Sequence, residues 1–174
     1  MKRMKRIMAL MLAAIMMMAM SVTAFAAGGA TGTHTLTVNV KSTTPAQDLK
    51  GQTINLYKLF DVTESNSGET TNYAYTVNAA TGYKEAIKSA LGTSFTGTTD
   101  EEYAAAVFAI GSNDSTEVQK FANDFTTYAL KNSLAATATS SKITESQTSY
   151  DFTGLDAGYY LVYVTGGKEI QSSL

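Results

Sequence analysis

The chain has 174 residues, a formal net charge of −2, a single histidine, and neither cysteine nor tryptophan. Without cysteine there is no thiol catalysis, no disulfide staple and no cysteine metal site. A chain of this length suits one domain with room for a leader or a tail.

Lys2, Arg3, Lys5 and Arg6 open the chain with positive charge, and the next 16 residues, 7–22, carry none. Ala24-Phe25-Ala26 then puts small residues at the two positions a signal peptidase inspects. Residues 1–26 therefore read as a secretory signal peptide cut after Ala26. A membrane anchor would want about 20 apolar residues, and the run stops short of that. Beyond residue 26 lie 148 residues with no Met and no Arg, and nine Lys against fifteen Asp and Glu leave a formal charge of −6. An acidic surface without Arg argues against nucleic acid, which needs cationic phosphate contacts. It argues equally against an anionic membrane surface once the leader is gone. Thr and Tyr are abundant, and both favour pleated, half-buried surfaces.

Residues 27–33 are small and Gly-rich, a flexible leader into a domain at 34–174. Residues 34–40 alternate, with Leu36, Val38 and Val40 on one face, and predict a half-buried strand. A loop with the only proline, Pro45, follows. A second strand is predicted over 53–62, with Ile54, Leu56, Lys58, Phe60 and Val62 on one face. Residues 64–72 read as an exposed loop, and 73–78 as a short strand closing a hairpin. The period then changes to helical. Tyr83, Ile87, Ala90 and Leu91 predict a helix over 81–91 that Gly92 stops. Thr99 and Glu102 form a capping box for a helix running to about residue 110. Residues 114–117 offer a further cap, and Val118, Phe121, Ala122, Phe125, Tyr128 and Ala129 give one apolar stripe reaching residue 134. The end is β again, with strands at 140–144, 149–153 and 159–165 and a turn at 154–158. The last strand is apolar on both faces, which places it inside a sheet. The expected fold is mainly β with inserted helices. Specifically, it is an immunoglobulin-like Greek-key β-sandwich with two to three helices between its early and late strands.

Catalytic chemistry finds little support. His34 is alone on a strand, no serine sits in a Gly-x-Ser-x-Gly elbow, and no Gly-rich loop leads into a Lys-bearing helix. Asp61, Glu64 and Glu69 do not match a calcium loop. Asp100, Glu101 and Glu102 are explained by a helix cap and dipole. The reading is of a non-enzyme without cofactor or metal. Lys58 carries the one sharper hypothesis. On an apolar strand face its amine enters low dielectric, the setting that makes a lysine nucleophilic, and next to an Asn and a protonated carboxyl it forms an intramolecular isopeptide. The alternative is that its stem lies on the sheet and its amine snorkels out at the edge.

At Gly51-Gln-Thr-Ile-Asn-Leu-Tyr-Lys-Leu-Phe-Asp61 the chain resembles the N-terminal domain of Gram-positive, sortase-assembled fimbrial shaft pilins, an isopeptide-forming family. Tyr73-Ala-Tyr-Thr-Val-Asn78, followed by a helix, resembles that family's hairpin-then-helix region. Phe152-Thr-Gly-Leu-Asp-Ala-Gly-Tyr-Tyr-Leu-Val162 resembles its late strand, and Gln171-Ser-Ser-Leu174 the stretch after it. The resemblance implies a structural subunit of a cell-surface fimbrium that supports adhesion. It implies sortase and other pilin subunits as partners, a host surface protein or glycan as a further one, and the cell wall as destination. A free-standing secreted adhesin with the same fold is the alternative. The chain departs from the pattern at three points. Val164 stands where the related collagen-binding repeat has its acid. There is no Tyr-Pro-Lys motif and no Leu-Pro-x-Thr-Gly sorting signal. The resemblance therefore implies a protein that continues past Leu174 with further domains, of which this is the front portion, or a truncated gene product.

Overall fold

The computed structural model describes residues 14–15, 32–40, 46–111 and 115–165. The cleavage site at Ala24–Ala26, most of the Gly-rich leader, Pro45, Asp114, Gly166-Gly167 and Gln171–Leu174 lie outside the described residues. The elements are β1 (Ala14–Ile15), β2 (His34–Asn39), β3 (Thr53–Ser67), β4 (Thr70–Val77), α1 (Tyr83–Leu91), α2 (Asp100–Phe108), α3 (Thr116–Lys131), β5 (Ala138–Thr139), β6 (Ser149–Leu155) and β7 (Gly158–Thr165).

The fold is mainly β, in two sheets, with three helices between the early and late strands. The larger sheet has the order β1-β7-β3-β4, with β5 also on β3; the smaller is the β2–β6 ribbon. Both cross-insertion pairings are antiparallel. Thr53 lies opposite Thr165 and Asp61 opposite Gly158, while His34 lies opposite Leu155 and Asn39 opposite Ser149. The larger sheet is thus the middle layer. On one face, Tyr57, Leu59, Phe60 and Leu161 pack against Ile87, Val107, Phe121 and Phe125 of the helices. On the other, Ile54, Leu56, Tyr160 and Val162 pack against Leu36, Val38, Phe152 and Leu155 of the ribbon.

β7 is apolar on both faces because both are covered, and Leu161 and Val162 are each 0% exposed. The helices start where their chemistry allows. Glu102 N donates to Thr99 Oγ1 at 3.3 Å while Glu102 Oε2 accepts from Thr99 N at 3.0 Å, the capping box expected. Ser115 Oγ accepts from Val118 N at 3.1 Å and caps α3. Hydrogen bonds from the Thr99 and Thr98 amides hold the Glu102 carboxyl below its ordinary 4.5.

Three expectations need correction. Residues 64–72 are not a loop. β3 runs on to Ser67, and β4 returns from Thr70, joined by Gly68-Glu69 with Gly68 at φ 63°. A glycine at the first central position suits the two-residue turn that matches strand twist. The strand expected at 140–144 lies earlier, at Ala138–Thr139. Beyond it Ser140 still bonds Ile54 twice, N to O at 2.8 Å and Oγ from N at 2.9 Å. The third concerns the alternation of β3. The β3–β7 register shifts between Lys58 and Phe60, with Lys58 opposite Tyr160 and Phe60 opposite Tyr159. Leu59 is the inserted residue of a β-bulge, which turns later residues to the other face. Lys58 therefore does not share a face with Phe60: Ile54 and Leu56 belong to the ribbon-side core, Phe60 to the helix-side core.

Candidate functional site

A bulge leaves backbone groups without ladder partners, and buried ones must be satisfied. Here Asn78 and Thr137 do so. Asn78 N donates to Leu59 O at 3.0 Å and Asn78 Nδ2 to Lys58 O at 2.7 Å. Lys58 N donates to Thr137 Oγ1 at 2.9 Å, and that hydroxyl lies 3.2 Å from the Tyr83 hydroxyl.

The bulge also decides what Lys58 meets. In a regular strand, residues three apart point to opposite faces. The extra residue brings Asp61 onto the Lys58 side, where Lys58 Nζ is 2.6 Å from Asp61 Oδ1. Asp156, in the turn between β6 and β7, approaches from the other direction, with its Oδ2 3.6 Å from the same nitrogen. The lysine side chain is 11% exposed and the two carboxylates about half exposed, at 45% and 47%. The stem lies across Gly158, where a Cβ would sit 2.7 Å from Lys58 Cδ and 2.8 Å from the Phe60 carbonyl oxygen. Glycine is required there by close approach. Tyr160 donates its hydroxyl to the Asp156 carbonyl at 2.8 Å. Burial pushes that phenol well above its ordinary 10.0, and the charges of Asp156 and Asp61 add to the effect.

The result is an enclosed amine held between two carboxylates at one end of the sheet. With the acids half in water, each ion pair contributes about 0–1 kcal/mol. The same three groups are the reactants of an amide crosslink. Bonding Lys58 Nζ to one Asp carboxyl carbon would expel water, and the second Asp could carry the proton. A Lys–Asn bond would need a carboxamide at the amine, whereas the Asn78 amide is engaged with the Lys58 carbonyl. The sequence pointed to Lys58 but missed Asp61 and Asp156 as its neighbours. The available signal was that Tyr57 and Leu59 are apolar as well as Leu56 and Phe60, so both faces of that stretch are core.

Of the other candidates, His34 lies at this end of the fold, and the remaining carboxylates do not. His34 starts β2 opposite Leu155. Glu64 lies opposite Tyr73 on the projecting part of the β3–β4 hairpin, and Glu69 is in its turn. Asp100, Glu101 and Glu102 form the first turn of α2. Lys84 reaches Asp100 at 3.7 Å and lies 5.1 Å over the Tyr103 ring. Among the described residues no three His, Cys, Asp or Glu side chains converge as a metal site, and no helix is long and apolar enough to cross a membrane. Compared with known proteins, the chain matches no protein-family model and no curated sequence.

Proposed function

We propose that this domain is the N-terminal portion of a structural subunit of a sortase-assembled cell-surface fimbrium. It is a non-catalytic, immunoglobulin-like module of the shaft, exported to the cell wall of a Gram-positive bacterium and joined to other pilin subunits. The observation that carries the reading is where the chain enters and leaves. β2 enters at His34, beside Leu155 and the Lys58 cluster; β7 leaves at Thr165, beside Thr53. These points are separated by the eight-residue length of β7, about 23 Å at the usual rise per strand residue. Tension between entry and exit acts along the strands. It slides β2 lengthwise past β6, so the ladder bonds are loaded together rather than one at a time. A shaft subunit under pull needs this arrangement, and a soluble binding module has no use for it.

Two measurements test the proposal. Cell-wall extracts should show the protein as a ladder of high-mass species that disappears without sortase; a single monomer band in both strains would overturn the reading. In single-molecule pulling, handles at residues 33 and 165 should require a higher unfolding force than handles at residues 53 and 165, which unzip β3 from β7. Equal forces would remove the mechanical support.

One observation favours an adhesin. Beyond Asp61, where β7 begins, Val62–Ser67 and Thr70–Tyr75 pair only with each other. This arm exposes Tyr73 at 42%. Among the described residues, Glu64 Oε2 on the arm is the enclosed side-chain oxygen without a hydrogen-bond partner. Tyr, Ser, Thr and Asn on a rigid projection suit recognition of a host protein or glycan. Deleting the pairs Glu64–Tyr73, Ser65–Asn72 and Asn66–Thr71 would then abolish binding to host-glycan or matrix-protein arrays without lowering the melting temperature of the domain.

A further inference from the structure

Cysteine and methionine are the usual sinks for an oxidant. This chain has no cysteine and no tryptophan, and its eight methionines all lie within residues 1–20. Tyrosine is then the readily oxidised side chain of the folded part, and there are ten, all among the described residues. Nine are withheld. Five are at most 4% exposed, and Tyr75, Tyr128, Tyr150 and Tyr159 are half-buried. Tyr73 is 42% exposed. It stands where the strands of the β3–β4 hairpin pair only with each other. A second molecule reaches its ring there without meeting the body of the domain.

The hairpin register decides what lies beside that phenol. Ser67 and Thr70 close a two-residue turn as a hydrogen-bonded pair, and such pairs alternate with non-hydrogen-bonded ones along an antiparallel ladder. Counting back from the turn, Asn66–Thr71 and Glu64–Tyr73 are non-hydrogen-bonded pairs, whose side chains lie closer on a shared face. The Thr71 hydroxyl donates to Asn66 Oδ1 at 2.9 Å, as that register requires. Glu64 is therefore the carboxylate on the Tyr73 face. Among the described residues its Oε2 is the enclosed side-chain oxygen without a hydrogen-bond partner. The next phenol on that face, Tyr75, is held edge-on against Phe108 at 4.7 Å, so Tyr73 meets its coupling partner on another molecule.

We propose that Tyr73 is an oxidative modification site, which joins two copies of this chain through a dityrosine bond. The co-reactant is hydrogen peroxide, used by a haem peroxidase. Each Tyr73 gives up one electron and its hydroxyl proton, and Glu64 accepts the proton as the electron leaves. The two phenoxyl radicals join through ring carbons next to the C–O carbon, and the hydrogen on each of those carbons moves to oxygen. One peroxide takes up the two electrons and two protons and leaves as two waters. The dimer is two hydrogens lighter than two chains. This bond needs no sortase, so the inference stands or falls apart from the fimbrial reading.

The test is to treat the full-length protein with a haem peroxidase and limiting hydrogen peroxide. A dimer resistant to detergent and reductant should form, with the blue fluorescence of dityrosine, and peptide mapping should find the link at Tyr73. Tyr73→Phe should lose both the dimer and the fluorescence, whereas Tyr128→Phe, at a half-buried ring, should keep both. Glu64→Gln should slow dimer formation at neutral pH without lowering the melting temperature. Absence of a dimer from the native protein, an equal yield from Tyr73→Phe, or a link mapped to another tyrosine overturns the proposal. An unchanged rate in Glu64→Gln overturns the part given to the carboxylate.

Discussion

The two faces of the central sheet are built differently. Among the described residues, the helix side buries eighteen and is rich in rings; the ribbon side buries ten, mostly aliphatic. On the helix side Phe125 is a hub, with ring centroids 5.4 Å from Tyr57, 6.3 Å from Tyr83 and 6.4 Å from Phe121. A second group joins Phe108 to Tyr75 at 4.7 Å, Tyr159 at 5.1 Å and Phe60 at 6.0 Å. Ring pairs in these geometries add about 0.5–1.5 kcal/mol each beyond their area. The ribbon side has Tyr150 and Phe152 as its ring pair, at 4.9 Å. It holds less apolar volume, yet it anchors the strand by which the domain is entered. Thermal stability should therefore rest mainly on the helix side, and resistance to pulling between residues 33 and 165 on the ribbon side.

Alkali should have the largest effect and should act through the helix side. Burial raises the phenols of Tyr57, Tyr83, Tyr159 and Tyr163 there, and of Tyr160 on the ribbon side. A group whose folded pKa is raised stabilises the fold below its unfolded value and loses that contribution as pH rises. Unfolding should thus set in above the ordinary tyrosine value of 10.0. Ultraviolet phenolate absorbance should rise in two phases, exposed rings first and these five with the cooperative loss of circular dichroism. A single non-cooperative phase would contradict the burial.

Among substitutions, Phe125→Ala should cost about 3–5 kcal/mol in denaturant unfolding, the usual loss for an enclosed ring. Leu36→Ala, from a ribbon residue 2% exposed, should cost about 2–4 kcal/mol but lower the pulling force between residues 33 and 165 more than Phe125→Ala does. The reverse order in force would break the division between the faces. Gly158→Ala forces a Cβ against the Phe60 carbonyl and the Lys58 stem, and should cost about 1–3 kcal/mol; an unchanged melting temperature would mean the bulge relaxes freely.

Smaller effects lie outside both cores. Thr99→Ala should cost about 1 kcal/mol. Because the Glu102 pKa is lowered in the folded state, its contribution is present at neutral pH and fades as pH falls below the carboxylate's ordinary 4.5. In the Thr99→Ala variant that acid-side loss should shrink. Lys58→Met keeps the stem, removes the charge, and should change stability by under about 1 kcal/mol. The intact mass of the native domain should equal its sequence mass. A deficit of about 18 Da, or 17 Da with an Asn partner, together with a melting temperature lowered by tens of degrees in Lys58→Met, would make Lys58 a crosslinking residue instead.

Much of this was legible in the residues. Leu36-x-Val38, the stripe from Val118 to Ala129 and the pairing of Thr99 with Glu102 each specify an element locally, because period and capping act within a few residues. The hairpin beyond Asp61 was legible only in part: 73–78 read as its closing strand, but its tip at 64–72 did not read as strand. Its Ser, Thr and Asn residues read as loop, and only the register across Gly68-Glu69 makes them strands. The Lys58 cluster was half legible. A lysine on an apolar strand announces itself, but the bulge at Leu59 that swings Asp61 to its side depends on what β7 offers opposite.

By itself the sequence determined most of the elements of this protein: a mainly β chain with helices between early and late strands, and a last strand covered on both faces. Hydrophobic period and local capping are short-range, so they survive without a partner. Tertiary structure alone decided the phase of β3 after Lys58, the two carboxylates around its amine, and the opposite placement of entry and exit. Each depends on a pairing between residues about a hundred positions apart, and no local pattern encodes a register across that distance.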